Sequence, residues 1–309
     1  MSQSFNESQL EQAIIELLVA QGYPHYKGET LSRKPGEVLL RDDLTAYLSA
    51  RYAADGITGG EIQSIIRQLD SLPASDLYES NKAIQKLVAD GFLLKREDRS
   101  QKDLYIQLID YAGLPEQREP GPDEVATLDG RTIAETPAAY GTANRYRIVN
   151  QLEIEGTEKR IPDAILYING LPLVVFEFKS AIRENATLFD AHVQLTVRYA
   201  RDIPELMKYN ALCVLSDGVN SRMGSQFAPY AFFYSWRKVS GNETLGQDGI
   251  NSLHTMVEGL FHPDRLRQVI RHFVFFPDVS RKDEKIVCRY PQFYAANKLY
   301  AHILKHRKH

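Results

Sequence analysis

Leu10, Ala13, Ile14, Leu17 and Leu18 recur at the spacing of one helical face. Asn6 stands where an N-terminal cap belongs and Gly22 where a left-handed stop belongs, so the chain is expected to open with a helix. Glu7 and Glu11 lie one turn apart on its flank. Three further helical patterns follow at 44–52, 60–72 and 79–90, punctuated by Asp55-Gly56 and Gly59-Gly60. Stretches 91–95 and 103–109 alternate like two strands around a charged turn. Helices followed by a hairpin have the outline of a winged helix. Residues 115–143 are rich in Pro, Gly, Ala and charge without an apolar period, which predicts a loop or linker.

From Asn144 the period becomes that of strands. One is expected over 146–154, one over 161–168 and one over 171–178, the last apolar on both faces and therefore central. A helix over 187–201 is stopped by Pro204, a short buried strand covers 211–215, and the aromatic stretch 229–236 reads as another strand. Phe232, Phe233, Tyr234 and Trp236 are expected to build core. This order gives an α/β fold, a mixed central sheet flanked by helices with a mainly helical insertion. The expected division is 1–27 as first helix of the main domain, 28–114 as insertion with hairpin, 115–143 as linker, 144–236 as core and 237–309 as a C-terminal continuation.

Composition narrows the class. The 309 residues are 43% hydrophobic and 25% charged, as in an ordinary globular protein. No apolar run approaches the roughly 18 residues of a membrane span. Cys213 and Cys288 are the only cysteines, too few and too far apart for a disulfide framework or a spaced zinc site, so a reducing cytoplasm is expected. The net charge of −3 is unevenly spread: residues 237–309 hold 13 Lys and Arg against 7 Asp and Glu. Such a basic stretch suits either a solvated helical face or a polyanion.

The candidate chemistry sits on two strands. Glu177 and Lys179, two apart on 171–178 and its end, share one face, and Asp163 follows Pro162 at the start of the preceding strand. Carboxylates at the end of a buried strand are costly unless they hold a cation or a counter-charge. Two of them beside a lysine offer what phosphodiester hydrolysis needs: ligands for Mg²⁺ and a cation for the developing phosphate charge. A simple ion pair at a strand end is the plainer alternative. The register decides between them, because residues paired across an antiparallel ladder share a face and have a constant sum. A plain Asn169-Gly170 turn pairing Ile168 with Leu171 would put Asp163 and Glu177 on opposite faces. Convergence therefore requires an odd connection or a bulge. The expected form is a three-residue loop, Ile168-Asn169-Gly170, that pairs Tyr167 with Leu171 and has Gly170 left-handed.

The stretch 159–180, with Pro162-Asp163 and Glu177-Phe178-Lys179, resembles the nuclease core of the R subunits of type I restriction–modification enzymes, a PD-(D/E)xK nuclease. The resemblance extends to Asn150-Gln151, Leu215-Ser216-Asp217-Gly218-Val219, Trp236-Arg237-Lys238 and the start from Asn6 to Tyr23. It implies a restriction-endonuclease-like fold, Asp163 and Glu177 as Mg²⁺ ligands, and Lys179 as the catalytic lysine. Glu11 matches a glutamate that approaches the metal in related nucleases. The family also carries Gln-x-x-x-Tyr on the following helix. Here Gln194 and Tyr199 are one residue further apart, about 140° around a regular helix, and only a π-bulge would realign them. Residues 285–298 resemble the opening of the family's ATP-driven DNA-translocating motor, in which Gln292 would read adenine. No Gly-x-x-x-x-Gly-Lys-[Ser/Thr] phosphate loop occurs in the sequence, so an N-terminal portion that does not itself hydrolyse ATP is expected. The implied partners are double-stranded DNA and the methylation and specificity subunits. The competing function is a non-cleaving binding module that docks DNA or subunits through the winged-helix-like region.

Overall fold

The computed structural model describes residues 7–114, 143–179, 187–241, 250–278 and 282–306. The cap at Asn6 and the 115–142 part of the expected linker lie outside them.

Among the described residues the strands are β1 (His25–Lys27), β2 (Phe92–Leu94), β3 (Leu104–Ile106), β4 (Tyr146–Asn150), β5 (Ile154–Glu155), β6 (Lys159–Arg160), β7 (Ala164–Ile168), β8 (Leu171–Phe178), β9 (Leu212–Ser216), β10 (Ser221–Gly224), β11 (Val274–Phe275) and β12 (Ile286–Val287). Six of them form the central sheet in the order β1-β4-β7-β8-β9-β10. β1 runs parallel to β4 and β8 parallel to β9, while the other pairings are antiparallel. The fold is the expected α/β arrangement with a mixed sheet. β8 lies inside it and every one of its residues is buried, as its two apolar faces require.

Helix α1 (Glu7–Ala20) buries Leu10, Ile14, Ile15 and Leu18 and stops at Gly22, whose φ is 94°. The insertion forms α2 (Arg41–Arg51), α3 (Gly59–Asp70) and α4 (Leu77–Asp90), then the β2–β3 hairpin. It has no separate core: Leu44, Ile65 and Ile84 belong to one apolar cluster with Val175 and Leu195. α4 is tied to the sheet side of the molecule. Asn81 Nδ2 donates to the carbonyls of Lys208 (2.9 Å) and Asn210 (2.8 Å), and Gln85 Nε2 to that of Ile270 (2.6 Å).

After β8 come α5 (Leu188–Val193), a π-helical segment (Gln194–Tyr199), α6 (Ala200–Asp202) and α7 (Pro204–Met207). The C-terminal part holds α8 (Ile250–Leu260), α9 (Pro263–His272) and α10 (Tyr290–His306). Met256, Leu260, Leu266 and Ile270 join the common core, so α8 and α9 pack as part of the same body.

Three expectations change. The stretch 229–236 is not a strand: it holds a 3-10 turn (Tyr230–Phe232) and a single bridge from Tyr234 to Met223. Within it Phe233 and Trp236 are core, but Phe232 is 58% exposed. The strand expected over 146–154 breaks after Asn150, because Gln151 adopts a left-handed φ of 51°. The connection between β7 and β8 is the two-residue Asn169-Gly170 turn rather than the three-residue loop, and Ile168 pairs with Leu171. Both turn residues have positive φ, 52° and 81°, as a hairpin turn that follows the sheet's twist demands. The Asn169 side chain fixes it, accepting from the Arg145 N–H (2.7 Å) and donating to the Leu108 carbonyl (2.9 Å).

Candidate active site

The turn alone would separate the carboxylates, but the ladder is interrupted. Tyr167 pairs with Pro172, yet Leu166 pairs with Val174, so Leu173 is an extra residue on β8. Pro172 has no N–H to give the ladder, and proline inside a sheet belongs beside such a bulge. Beyond it Ile165 pairs with Val175 and Ala164 with Phe176. β7 begins at Ala164, and the same register carried one residue further would set Asp163 opposite Glu177 rather than diagonal to it. Parity is thus restored by a bulge. On the other flank Asn150 pairs with Ala164, and the Gln151 N–H reaches the Asp163 carbonyl at 3.4 Å. Gln151 just past β4 and Asp163 just before β7 thus flank the end of β8 that carries Glu177.

Glu177 is 1% exposed and each of its oxygens accepts one hydrogen bond. Oε1 accepts from Lys179 Nζ at 2.6 Å and Oε2 from the Tyr199 hydroxyl at 2.8 Å. Gln194 Nε2 in turn donates to the Tyr199 oxygen at 2.9 Å. The π-helical segment runs from Gln194 to Tyr199, so the inserted residue is absorbed and the two side chains share the face toward Glu177. Asp163 Oδ2 accepts from the Phe178 N–H at 2.6 Å. Lys179 is also 3.5 Å from Glu7 Oε1.

Burial raises the Asp163 carboxyl first and the like charge of Glu177 adds to it, to about 8; the Phe178 N–H and Lys179 only partly oppose this. Burial also raises Glu177, against Lys179 and Tyr199. Burial works against a charged Lys179, but Glu177, Asp163 and Glu7 outweigh it and its pKa rises. Lys179 is therefore an ammonium at neutral pH, suited to neutralising charge rather than to taking a proton. Tyr199 is raised by burial and by Glu177 and stays a neutral donor. The sign for stability follows. A carboxyl favoured as the acid in the fold costs nothing below its ordinary pKa and destabilises progressively as pH rises from about 4 toward about 8. A cation bound at Asp163 would displace that proton and reverse the penalty.

A buried and a half-buried carboxylate, both with raised pKa and close enough to repel one another at a strand end, fit a hard divalent cation. Among the described residues no three His, Cys, Asp or Glu side chains form a ready cage. Asp163 and Glu177 would hold Mg²⁺ with water and phosphate oxygens completing its shell, the incomplete protein cage usual for this ion. Glu11 lies within electrostatic reach of Asp163, whose pKa it helps to raise. Each of its own oxygens accepts one hydrogen bond: Oε1 from Asn150 Nδ2 (2.7 Å) and Oε2 from Gln151 Nε2 (2.9 Å). Glu7 was not singled out for the site by sequence reasoning, although its place one turn before Glu11 was the available signal. Gln292 lies apart, at the exposed start of α10, where its Oε1 accepts from the Arg289 N–H at 2.8 Å. The Gln292 side chain caps that helix.

The family described as type I restriction enzyme R protein N terminus matches residues 4–232. The HindI endonuclease subunit of a type I restriction enzyme of Haemophilus influenzae is 29% identical over 304 residues, 94% of this chain and 26% of the relative. A putative type I restriction enzyme endonuclease subunit, MjaIXP, of Methanocaldococcus jannaschii is 24% identical over 315 residues, 94% of this chain and 27% of that one. The SsaAORF53P endonuclease subunit of Staphylococcus saprophyticus is 23% identical over 284 residues, covering 89% and 25%. The chain thus spans about a quarter of the length of these relatives. With the Asp163–Glu177–Lys179 cluster standing inside the matched region, the chain belongs to the family of type I restriction enzyme R protein N-terminal regions.

Proposed function

We propose that this chain is the DNA-cleaving part of a type I restriction enzyme and hydrolyses phosphodiester bonds with Mg²⁺ held by Asp163 and Glu177. The observation that carries the reading is the cluster itself: a buried Glu177 and a half-buried Asp163 at the ends of two paired strands, with a charged lysine hydrogen-bonded to Glu177. When bound, the metal would polarise the phosphate and lower the pKa of an attacking water. Lys179, oriented by Glu177, neutralises charge that develops on the phosphate oxygens. Tyr199 and Gln194 keep Glu177 from turning toward Lys179 alone. Double-stranded DNA is the substrate, methylation and specificity subunits are the partners, and ATP binds elsewhere in the full-length subunit, with Gln292 toward its adenine. Like the restriction systems it resembles, the assembly would act in the cytoplasm; no helix among the described residues is long and apolar enough to cross a membrane.

The competing reading is a non-cleaving module that docks DNA or subunits through the winged-helix-like region, in which the Asn81 and Gln85 face of α4 packs on the rest of the molecule.

The metal reading is tested by calorimetric titration of Mn²⁺ into the full-length protein at pH 6, 7 and 8. Asp163 must lose its proton to bind, so affinity should rise about tenfold per pH unit below about 8. Asp163→Ala should remove that component. An isotherm unchanged by the substitution would exclude Asp163 as a ligand.

A further inference from the structure

Asn150 and Gln151 meet the same carboxylate, which two neighbouring residues of a regular strand cannot do. Consecutive side chains of a strand point to opposite faces, so only one of the pair should reach Glu11. Gln151 escapes the rule through its left-handed backbone, φ 51°, a region that a glutamine rarely occupies. The result is two amide donors on the two oxygens of Glu11, at 2.7 and 2.9 Å.

The surroundings are built to hold this conformation. Gly28 packs on the turn so closely that an added Cβ would lie 2.5 Å from the Gln151 carbonyl oxygen and 2.5 Å from the Leu152 Cα. Both are backbone atoms and cannot swing aside. His25 Nε2 lies 2.8 Å from Asn150 Oδ1, which leaves Asn150 Nδ2 directed at Glu11. The turn falls one step from Asp163 in the β4–β7 ladder, at the edge of the candidate active site. Strained backbone that surrounding structure holds in place is common where a side chain must be aimed.

We infer that Asn150 and Gln151 are positioning residues, which clamp the Glu11 carboxyl group beside Asp163 and so strengthen divalent-cation binding there. The inference rests on the metal reading above. Glu11 would act on the cation or its water shell, each oxygen keeping a lone pair beside its amide, and the left-handed turn at Gln151 is the device that aims it. Partners of this kind contribute about 10- to 100-fold in metal affinity.

Gln151→Gly and Gln151→Asn test this in the full-length protein. Glycine takes the left-handed region freely, and asparagine tolerates it with a side chain one carbon shorter. Neither change should lower the thermal unfolding midpoint, and glycine should relieve the strained turn. Mn²⁺ is titrated by calorimetry, and the component that Asp163→Ala removes is compared between variants. The inference expects that component to weaken at least about tenfold in both, with the unfolding midpoint maintained. Unchanged affinity would overturn it, as would an affinity loss that follows a loss of stability across the two variants. If Asp163→Ala removes no component, the metal reading itself falls, a result distinct from unchanged affinity in the Gln151 variants.

Discussion

Deletion of Leu173 is expected to abolish DNA cleavage and divalent-metal binding together, and to destabilise the fold by several kcal/mol. Leu173 is the single extra residue that shifts the β7–β8 register between Tyr167 and Leu166. Without it the Ile168–Leu171 pairing would continue unbroken, and every side chain beyond Pro172 would exchange faces. The apolar residues of β8 tolerate this best, since both faces are buried. Glu177 does not. It would leave Asp163 and Tyr199 and turn, with Lys179, to the face that Phe176 and Phe178 share, where Phe261 packs against Phe176. Forcing a charged pair among apolar side chains costs several kcal/mol, enough to unfold many domains outright. Leu173→Ala is the control, because it keeps the bulge. It should cost about 2–5 kcal/mol through the cavity left behind, with metal affinity retained. Chemical denaturation and Mn²⁺ titration of the two variants separate register from packing. A deletion variant that kept fold and metal affinity would show that the bulge does not set the site.

Lys179→Ala is expected to lower cleavage by about 10²–10³ in the assembled enzyme, the usual loss when one preorganised donor to a developing charge is removed. On the reading proposed above, ATP hydrolysis belongs to another part of the full-length subunit and should be unaffected. Lys179→Arg should restore little. A planar guanidinium is no substitute for a compact ammonium held 2.6 Å from Glu177 in a 15% exposed pocket. Strand-cleavage rates of the three proteins, measured beside their ATPase rates, check this. Full recovery with arginine would reduce Lys179 to a counter-charge for Glu177.

The sequence carried the elements well where period and punctuation agreed. The α1 stripe ended at Gly22, and β8 read as central because Leu171–Phe178 has no polar face until Glu177. The parity requirement was also legible: with Asp163 and Glu177 both needed, some irregularity had to fall between them. Its form was not. Asn-Gly favours a two-residue turn by itself, so the compensation moved into the strand, where Pro172 already excluded a regular ladder. The spacing of Gln194 and Tyr199 likewise demanded a π-bulge, and the helix contains one. The aromatic stretch 229–236 misled because aromatic content follows burial as much as strand geometry, and only Phe233 and Trp236 there are core. Nothing in Asn150-Gln151 announces a left-handed residue. That conformation depends on the backbone of Gly28, more than a hundred positions away, and no local pattern encodes it.

The central claim is that the Asp163–Glu177–Lys179 cluster cuts DNA, and Glu177→Gln tests it most directly. The amide keeps the shape of the side chain and an oxygen for the Tyr199 hydroxyl, but removes the charge that faces Lys179 and that would hold a metal. Cleavage of circular DNA and ATP hydrolysis are measured in parallel on the assembled full-length enzyme. Undiminished ATP hydrolysis with no strand cleavage is the predicted result; cutting at the wild-type rate would contradict it.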